Sequence, residues 1–581
     1  MKSHLLFPMT IVVMFALSCG GGGGNGGNGN NGGNLVVGNI AGPTSIVENS
    51  SAQFTVAASG DTGIKYLWAC DPASAGWFAN QTSATTTFSA ASVTTDTAVT
   101  IRVTVNSDHY GPILKNCGII VLNAASQGWT RTWGGAGWDA AYGFGFDSSG
   151  NMYVTGVFMG SFVDFDPGSG TDQHSSHGGY EAYLTKFDPG GGYLWTRTWG
   201  GVLWDQGSNL VVDRNGNVYV AGWFQGTSDF DPGDGYDWRD AVGDLDAFIS
   251  KLNSSGDWQW SRTWGGVNWD KAWDVAVDYS GDIYVTGAFS DNVDFDPGPG
   301  VQTYYSAVSS TFLSKFESSG DFDWVRTWPA HEGHGVALDS AGNTFVAGIF
   351  WGNIDFNPGP GTDMHSSAYT DMYLSKLDSS GDFQWARTWG GGLDFDNAQD
   401  VAIDGEGNIY VTGHYTGLAD FDPSSGADLH QSCNSVHGEP TRDVFVSKLD
   451  SYGNFQWAHT WGGNEADRGY GVAVDGPGNV YITGYFMGTA DFDPGGGISS
   501  FISSGGQDFF VSKLGASGSY KWTVAMGGSL DEAGWGIGVD SHGNVYLAGL
   551  FRTTVDFDPG AAVDNRSSNG EADIFLTKIV P

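Results

Sequence analysis

One phrase, Trp-x-Arg-Thr-Trp-Gly-Gly and its close variants, begins at Trp129, Trp195, Trp260, Trp324, Trp385, Trp457 and Trp522, at intervals of 66, 65, 64, 61, 72 and 65 residues. A second phrase, Asp-Phe-Asp-Pro-Gly, tracks it at Asp164–Gly168, Asp229–Gly233, Asp294–Gly298, Asp491–Gly495 and Asp556–Gly560. Altered copies stand at Asp355–Gly359, with Asn357, and at Asp420–Pro423, which lacks the glycine. Seven copies of one unit with this period leave two architectures, a propeller or a solenoid.

Each unit holds four period-two runs. In the best copy these are strand a, Gly471–Asp475; strand b, Asn479–Gly484; strand c, Asp508–Leu514; and strand d, Tyr520–Val524. The a–b and c–d joints carry Gly with Asn, Asp or Ser, as hairpins require. The long b–c joint carries the Asp-Phe-Asp-Pro-Gly corner. The ends of the array decide between ring and stack. A lone d strand, Trp129–Trp133, precedes any a, b or c, and the last unit stops after strand c at Asp573–Ile579. The first run completes the last unit and removes an open edge. A solenoid would need polar caps, which the sequence lacks. The expectation is an all-β chain: a seven-bladed β-propeller over 128–581 with four-stranded blades, its N-terminal strand closing the last blade.

The units resemble the bacterial SBBP β-propeller repeat, through Val-Asp-x-x-Gly-Asn-x-Tyr-Val-Thr-Gly followed by Asp-x-Phe-x-x-Lys. The resemblance implies the propeller fold and an exported bacterial protein. It implies little about activity, because propellers host unrelated functions.

Residues 1–18 read as a secretory signal: Lys2, then an apolar run from Leu5 to Leu17 broken by Pro8 and Thr10. Ala16-Leu-Ser-Cys19 resembles a lipobox, which implies lipidation of Cys19 and a membrane anchor at the outer membrane or cell surface. Residues 20–34 are Gly and Asn alone and make the 19–34 segment a flexible tether. Residues 35–125 turn to Val, Ser, Thr and Ala in short alternating runs, and resemble an immunoglobulin- or PKD-like β-sandwich. Cys70 and Cys117 are the only cysteines of that segment, and in an exported domain they are expected to pair, worth roughly 2–4 kcal/mol.

The formal net charge is −40, which repels nucleic-acid phosphates and favours cations. Ca²⁺ is therefore the candidate cofactor. Its candidate ligands are the corner aspartates Asp164, Asp166, Asp229, Asp231, Asp294, Asp296, Asp491, Asp493, Asp556 and Asp558, two residues apart and able to face one point. The alternative is an Asx turn that spends the same oxygens on local N–H groups. The d–a loops add Asp139, Asp205, Asp270, Asp396, Asp467 and Asp531.

The strand-c lysines, Lys186 to Lys578, are expected to pair with an aspartate of their own blade. The Trp-x-Arg-x-Trp runs are expected to stack Arg between two indoles in the packing between blades. Trp138, Trp204 and Trp269 in the d–a loops are candidate partner- or glycan-binding residues. So are His430, Cys433 and His437 in the fifth-unit insertion, which could also take a soft metal. No nucleophile–base set, phosphate loop or other catalytic constellation is present, so no enzyme is expected. The expected function is a monomeric, lipid-anchored platform that binds a protein or glycan. The rivals are a lectin, and a hydrolase or lyase with buried acids in a central pocket.

Overall fold

The computed structural model describes residues 35–41, 45–47, 51–90, 97–122, 128–391, 395–435, 437–560 and 563–580. The signal, Cys19 and the tether lie outside the described residues. The chain divides into two compact units, 1–128 and 129–581. Among the described residues the one helical element is a 3-10 turn, Ala73–Ala75, and no helix is long and apolar enough to cross a membrane.

The first unit is two four-stranded sheets over one core. One sheet runs Val36–Ala41, Ser51–Ser59, Thr85–Ala90, Gly76–Phe78; the other runs Ser45–Val47, Ile113–Leu122, Thr97–Asn106, Lys65–Asp71. Alternation places Phe54, Phe88, Trp68, Ile101 and Val103 inside. The expected Cys70–Cys117 disulfide is not made. Cys70 is opposite Ile101, and Ile101 is opposite Cys117. The two cysteines thus sit two strand spacings apart, roughly 10 Å, with buried Ile101 between them, beyond the ~7 Å Cα limit of a bridge. Cys70 Sγ donates instead to the Gly76 carbonyl at 3.5 Å.

The second unit contains seven antiparallel sheets built in the order a-b-c-d. The first runs Ala140–Phe146, Met152–Phe158, Glu181–Phe187, Tyr193–Gly201. In the last, Ala533–Val539, Val545–Phe551 and Asp573–Ile579 are completed by Trp129–Trp133. Leu576 faces Arg131, and Thr577 faces Thr130 with their hydroxyls 2.8 Å apart. Strands b and c are buried on both faces, which explains their unbroken apolar runs. Each a strand packs on the a strand of the next sheet, and the seventh packs on the first.

The repeated phrases are the fastenings. Corner Phe165 is fully buried and packs edge-on against Phe158, while the flanking aspartates face outward; Phe230, Phe295, Phe356, Phe421, Phe492 and Phe557 repeat the plug. Each strand-d Arg stacks on the first indole only, Arg131 over Trp129 at 5.0 Å, and reaches across to the next sheet. Arg131 Nε donates to Gly191 O at 2.8 Å, Arg197 to Gly256, Arg262 to Gly320, Arg326 to Gly381 and Arg387 to Gly453. Each acceptor is the c–d turn glycine of the following sheet. Gly256 has φ +82°, and a Cβ there would meet the Trp195 ring at 3.1 Å, so two constraints select glycine.

The lysines reach the same turns. Lys186 Nζ donates to Ser254 O at 2.8 Å and Lys251 to Ser318 O at 2.9 Å. The expected aspartate partner is within 4 Å for Lys186 (Asp147, 3.7 Å), Lys315 (Asp282, 2.9 Å) and Lys376 (Asp339, 3.9 Å).

Buried acids face each other at six of the seven sheet junctions. One stands at the start of strand a and one in strand c of the preceding sheet, five residues before its lysine: Asp139 with Asp573, Asp205 with Glu181, Asp270 with Asp246, Asp396 with Asp371, Asp467 with Asp443, Glu532 with Asp508. They flank the first glycine of Trp-Gly-Gly. A Cβ on Gly134 would fall 2.8 Å from Asp573 Oδ1 and 2.9 Å from Asp139 Oδ2. At the seventh sheet the slot belongs to Glu532, not to the expected Asp531, which lies 3.6 Å from Arg552. The third junction has no pair. There Pro329 replaces the glycine, and Thr311 Oγ1 donates to Ala330 O at 3.3 Å.

Candidate functional site

The seven a strands enclose an axial cavity of about 320 Å³. Each a strand carries a β-bulge at the same position: the ladder skips between Ala141 and Gly143, Gly207 and Asn209, Ala272 and Asp274, Gly333 and Gly335, Ala398 and Asp400, Gly469 and Gly471, and Gly534 and Gly536. A bulge leaves one residue unpaired and re-aims its side chain. The skipped residues are Tyr142, Ser208, Trp273, His334, Gln399, Tyr470 and Trp535, and all seven line the cavity. Within a repeat that otherwise copies itself closely, this position holds five different residue types.

The ring has an aromatic side and a polar side. Tyr142, Trp535 and Tyr470 run on from one another, with centroids 5.0 Å and 5.5 Å apart, and Tyr485 extends the wall at 5.7 Å from Tyr470. Burial pushes the Tyr142 hydroxyl up to about 12, so it is a neutral donor. Opposite stand Ser208, Trp273, His334 and Gln399. The buried Trp273 Nε1 has no acceptor. His334 Nε2 lies 3.0 Å from Glu332 Oε2; burial disfavours the imidazolium, but Glu332 outweighs it and raises the His334 pKa.

Two acids, Asp274 and Asp400, also line the cavity. Burial raises them to about 6 and about 7, and Asp274 adds to the shift of Asp400. This is the arrangement a hydrolase would need, but their oxygens are spent. Asp274 accepts from Asn209 Nδ2 at 2.6 Å, Val275 N at 2.8 Å and, across the junction, Val336 N at 2.7 Å. Asp400 accepts from Val401 N at 2.7 Å and from Val472 N of the next sheet at 2.8 Å. Both act as clips between inner strands.

The sequence-predicted sites lie elsewhere. In every corner the first Asp accepts two backbone N–H groups: Asp164 Oδ1 takes Asp166 N at 3.1 Å and Asp172 N at 2.9 Å, and Asp166 Oδ1 takes Gly168 N at 2.7 Å. Asp229 and Asp231, Asp294 and Asp296, Asp491 and Asp493, and Asp556 and Asp558 repeat the pattern. Neutral Asn357 serves equally well, accepting from Gly359 N at 2.8 Å, so the turn needs an oxygen and not a charge. Among the described residues no three His, Cys, Asp or Glu groups converge to hold a metal, and the expected Ca²⁺ ligand set is replaced by Asx turns.

His430 is a repeat residue. Its Nδ1 meets Thr460 Oγ1 at 3.0 Å and its Nε2 meets Asp428 Oδ2 at 3.2 Å, as His174 meets Thr198 and His365 meets Thr388. Cys433 and His437 are both exposed, and among the described residues no group of three His, Cys, Asp or Glu side chains stands there to hold a soft metal. Of the d–a loop tryptophans, Trp204 is 54% exposed, Trp138 packs under Arg552, and Trp269 stands 5.7 Å from Lys271 Nζ. None lines the axial cavity. The seven axial residues were missed by sequence reading because a bulge breaks the period-two rule at the site itself. Their divergence within strand a was the available signal.

Comparison with known proteins supports the repeat. The family description of the SBBP β-propeller repeat matches residues 195–228 and 384–418. An uncharacterized WD repeat-containing protein of Acanthamoeba polyphaga mimivirus is 22% identical over 437 residues, covering 62% of this chain and 31% of its own length. The regulatory protein FlaEY of Caulobacter vibrioides is 32% identical over 131 residues, 22% of this chain and 14% of that protein. The chain thus spans less than a third of either curated relative. Among solved structures, the extracellular domain of a putative hybrid two component system from B. thetaiotaomicron aligns over 74% of this chain and 71% of its own at 9% identity, with a TM-score of 0.21, a superposition too poor to bear on function. With the repeat matched in sequence and seven like sheets built on it, this chain is a β-propeller repeat protein.

Proposed function

We propose that the second unit is a closed seven-bladed propeller that binds a glycan in its axial cavity, and that the protein presents this module outside the cell. The observation that carries the reading is the bulged position. Fastening residues recur from sheet to sheet, while the bulged residue that each sheet turns to the axis is free to differ. The cavity volume lies at the lower end of the ~300–1,000 Å³ usual for small-ligand pockets. Flat aromatic faces beside amide, hydroxyl and indole donors suit a pyranose ring. A binding role is favoured over a catalytic one because Asp274 and Asp400 have their oxygens engaged by N–H donors. The exported, lipid-anchored location rests on residues 1–34, and loss of lipid labelling in Cys19→Ser tests it.

A glycan array followed by calorimetric titration of the best hit tests the binding site. Trp535→Ala is expected to weaken binding tenfold or more, while Trp204→Ala on the exposed loop leaves it unchanged. The reverse pattern would move the site from the axis to the outer loops.

A further inference from the structure

Of the seven corners, the one that the sequence marks by its missing glycine, Asp420–Pro423, borders a cavity of about 460 Å³ at the junction of the fourth and fifth sheets. This cavity is larger than the axial one and lies apart from it, beside the outermost strand d. Pairing brings its walls together. Gly390, at the end of the fourth strand d, faces Asp420, so the fifth corner stands beside that strand. Arg387 of the same strand reaches over to the c–d turn of the fifth sheet, donating to Gly453 O at 3.0 Å.

The repeat makes this groove more than once. At the seam, Arg131, Pro167 and Gly191 stand at the same repeat positions and line a cavity of about 260 Å³. The lining sets the groove of the fourth and fifth sheets apart. Six corners carry glycine after the proline, Gly168, Gly233, Gly298, Gly359, Gly495 and Gly560, and the fifth carries Ser424. The c–d turns of the second, third and fourth sheets carry Asp257, Asp321 and Asp382, and the fifth carries Asn454. Ser424 and Asn454 are both exposed, so packing accounts for neither.

The lining keeps unspent groups of both kinds. Arg387 gives three N–H groups to Gly453 O, Ala386 O and Tyr452 O and has two left. The Ser424 hydroxyl accepts from Gly426 N at 3.2 Å, and its own proton is unspent. Asn454 Nδ2 donates to Asp450 Oδ2 at 2.9 Å, while Asn454 Oδ1 accepts nothing among the described residues. Asp363 Oδ2 accepts Ala386 N at 3.3 Å, while its Oδ1 likewise accepts nothing among them. The groove is open to solvent, with the Asp363 side chain 37% exposed, and half-buried Phe455 supplies an apolar wall.

We propose that this groove is a second saccharide site, separate from the axial one, for a neutral hexopyranoside. The C–H face of the sugar lies on Phe455, and neighbouring hydroxyls donate to Asp363 and Asn454 and accept from Arg387 and Ser424. A hydroxyl both donates and accepts, so a pair of them matches a rim that offers both. A flat ring face suits the aromatic wall, and the volume falls within the ~300–1,000 Å³ of small-ligand sites. Carboxylates and a guanidinium line the groove together, so neither an anion nor a cation meets a wall of one sign.

The test is titration of the full chain, wild type and Trp535→Ala, with the methyl glycosides of glucose, galactose and mannose. At least one is expected to bind in both, because the groove does not depend on the axis. Adding Ser424→Gly/Asn454→Ser is expected to weaken that binding at least fivefold. Both changes install residues that sister repeats carry, glycine at six corners and Ser519 in the sixth turn, so the fold tolerates them. Undiminished binding in that variant overturns the groove as the site. Absence of binding by all three sugars overturns the second site and leaves the axial site to the glycan-array hit. Methyl glucuronide or methyl glucosaminide binding tenfold tighter than the best neutral sugar overturns the neutral assignment.

Discussion

An arginine recurs in five of the seven strand-d runs, and the two exceptions show what it is for. His459 replaces it in the fifth sheet and still reaches the next turn, since a Cβ on Gly518 would touch its Nε2 at 2.2 Å. Val524 replaces it in the sixth sheet. The following sheet takes strands c and d from opposite ends of the chain, so it has no c–d turn and no glycine carbonyl to accept a bond. The arginine is absent where its acceptor is absent. Arg262→Val is therefore expected to cost about 1–3 kcal/mol by losing a charge-assisted bond and stranding a carbonyl, read by denaturant unfolding. Val524→Arg is expected to gain nothing. A stabilising Val524→Arg would contradict the account. The sequence marked Arg262 as packing between blades, and that much was legible. Its partner was not, because Gly320 lies in the neighbouring sheet and nothing local points to it. The same holds for Lys251 and Ser318.

The paired acids belong to the scale of elements, since each pair spans two sheets. Two facing buried carboxylates cannot both ionise cheaply. On the strand-a side the oxygens already accept N–H groups, while Asp246, Asp371, Asp508 and Asp573 each keep a buried Oδ1 with no donor. A proton on that oxygen completes the arrangement. The third junction supports this, because a permanent O–H donor, Thr311, stands where the others carry an acid, and it donates to a carbonyl. Burial raises Asp139, Asp205 and Asp270 to about 7, and Asp246, Asp508 and Asp573 to about 6, above the ~3.9 of an unfolded Asp.

The folded state thus binds more protons than the unfolded chain between about pH 4 and 7. Stability is present below the unfolded value and is lost as pH rises through the folded one. His414 and His459, both held below the ordinary histidine value by burial first, work in the opposite sense, as two groups against six pairs. The melting temperature is expected to fall from pH 5 to pH 8, and Asp573→Asn, a permanent donor, to flatten that slope. A melting temperature that rises over this interval would rule out the shared proton. The d–a acids were visible in the sequence, but their partners in strand c were not, since pairing across a junction leaves no local pattern.

At the scale of the whole molecule, the order of strands already foretold that the first run joins the last, because a lone d strand and an unfinished abc unit complement one another. What strand order could not show is the bulge that turns one residue per sheet toward the axis, or that two cysteines of the first unit would straddle Ile101. The account depends most on the seam, since the axial cavity exists only if the seventh inner strand returns to the first. Thr130 and Thr577 face each other across that seam with hydroxyls 2.8 Å apart. The direct measurement is oxidation of Thr130→Cys/Thr577→Cys, read by peptide mapping and thermal melting. The account predicts a disulfide between the two new cysteines and a higher melting temperature that reverts on reduction. Two thiols that stay apart in the folded protein would contradict the closed ring and the axial site with it.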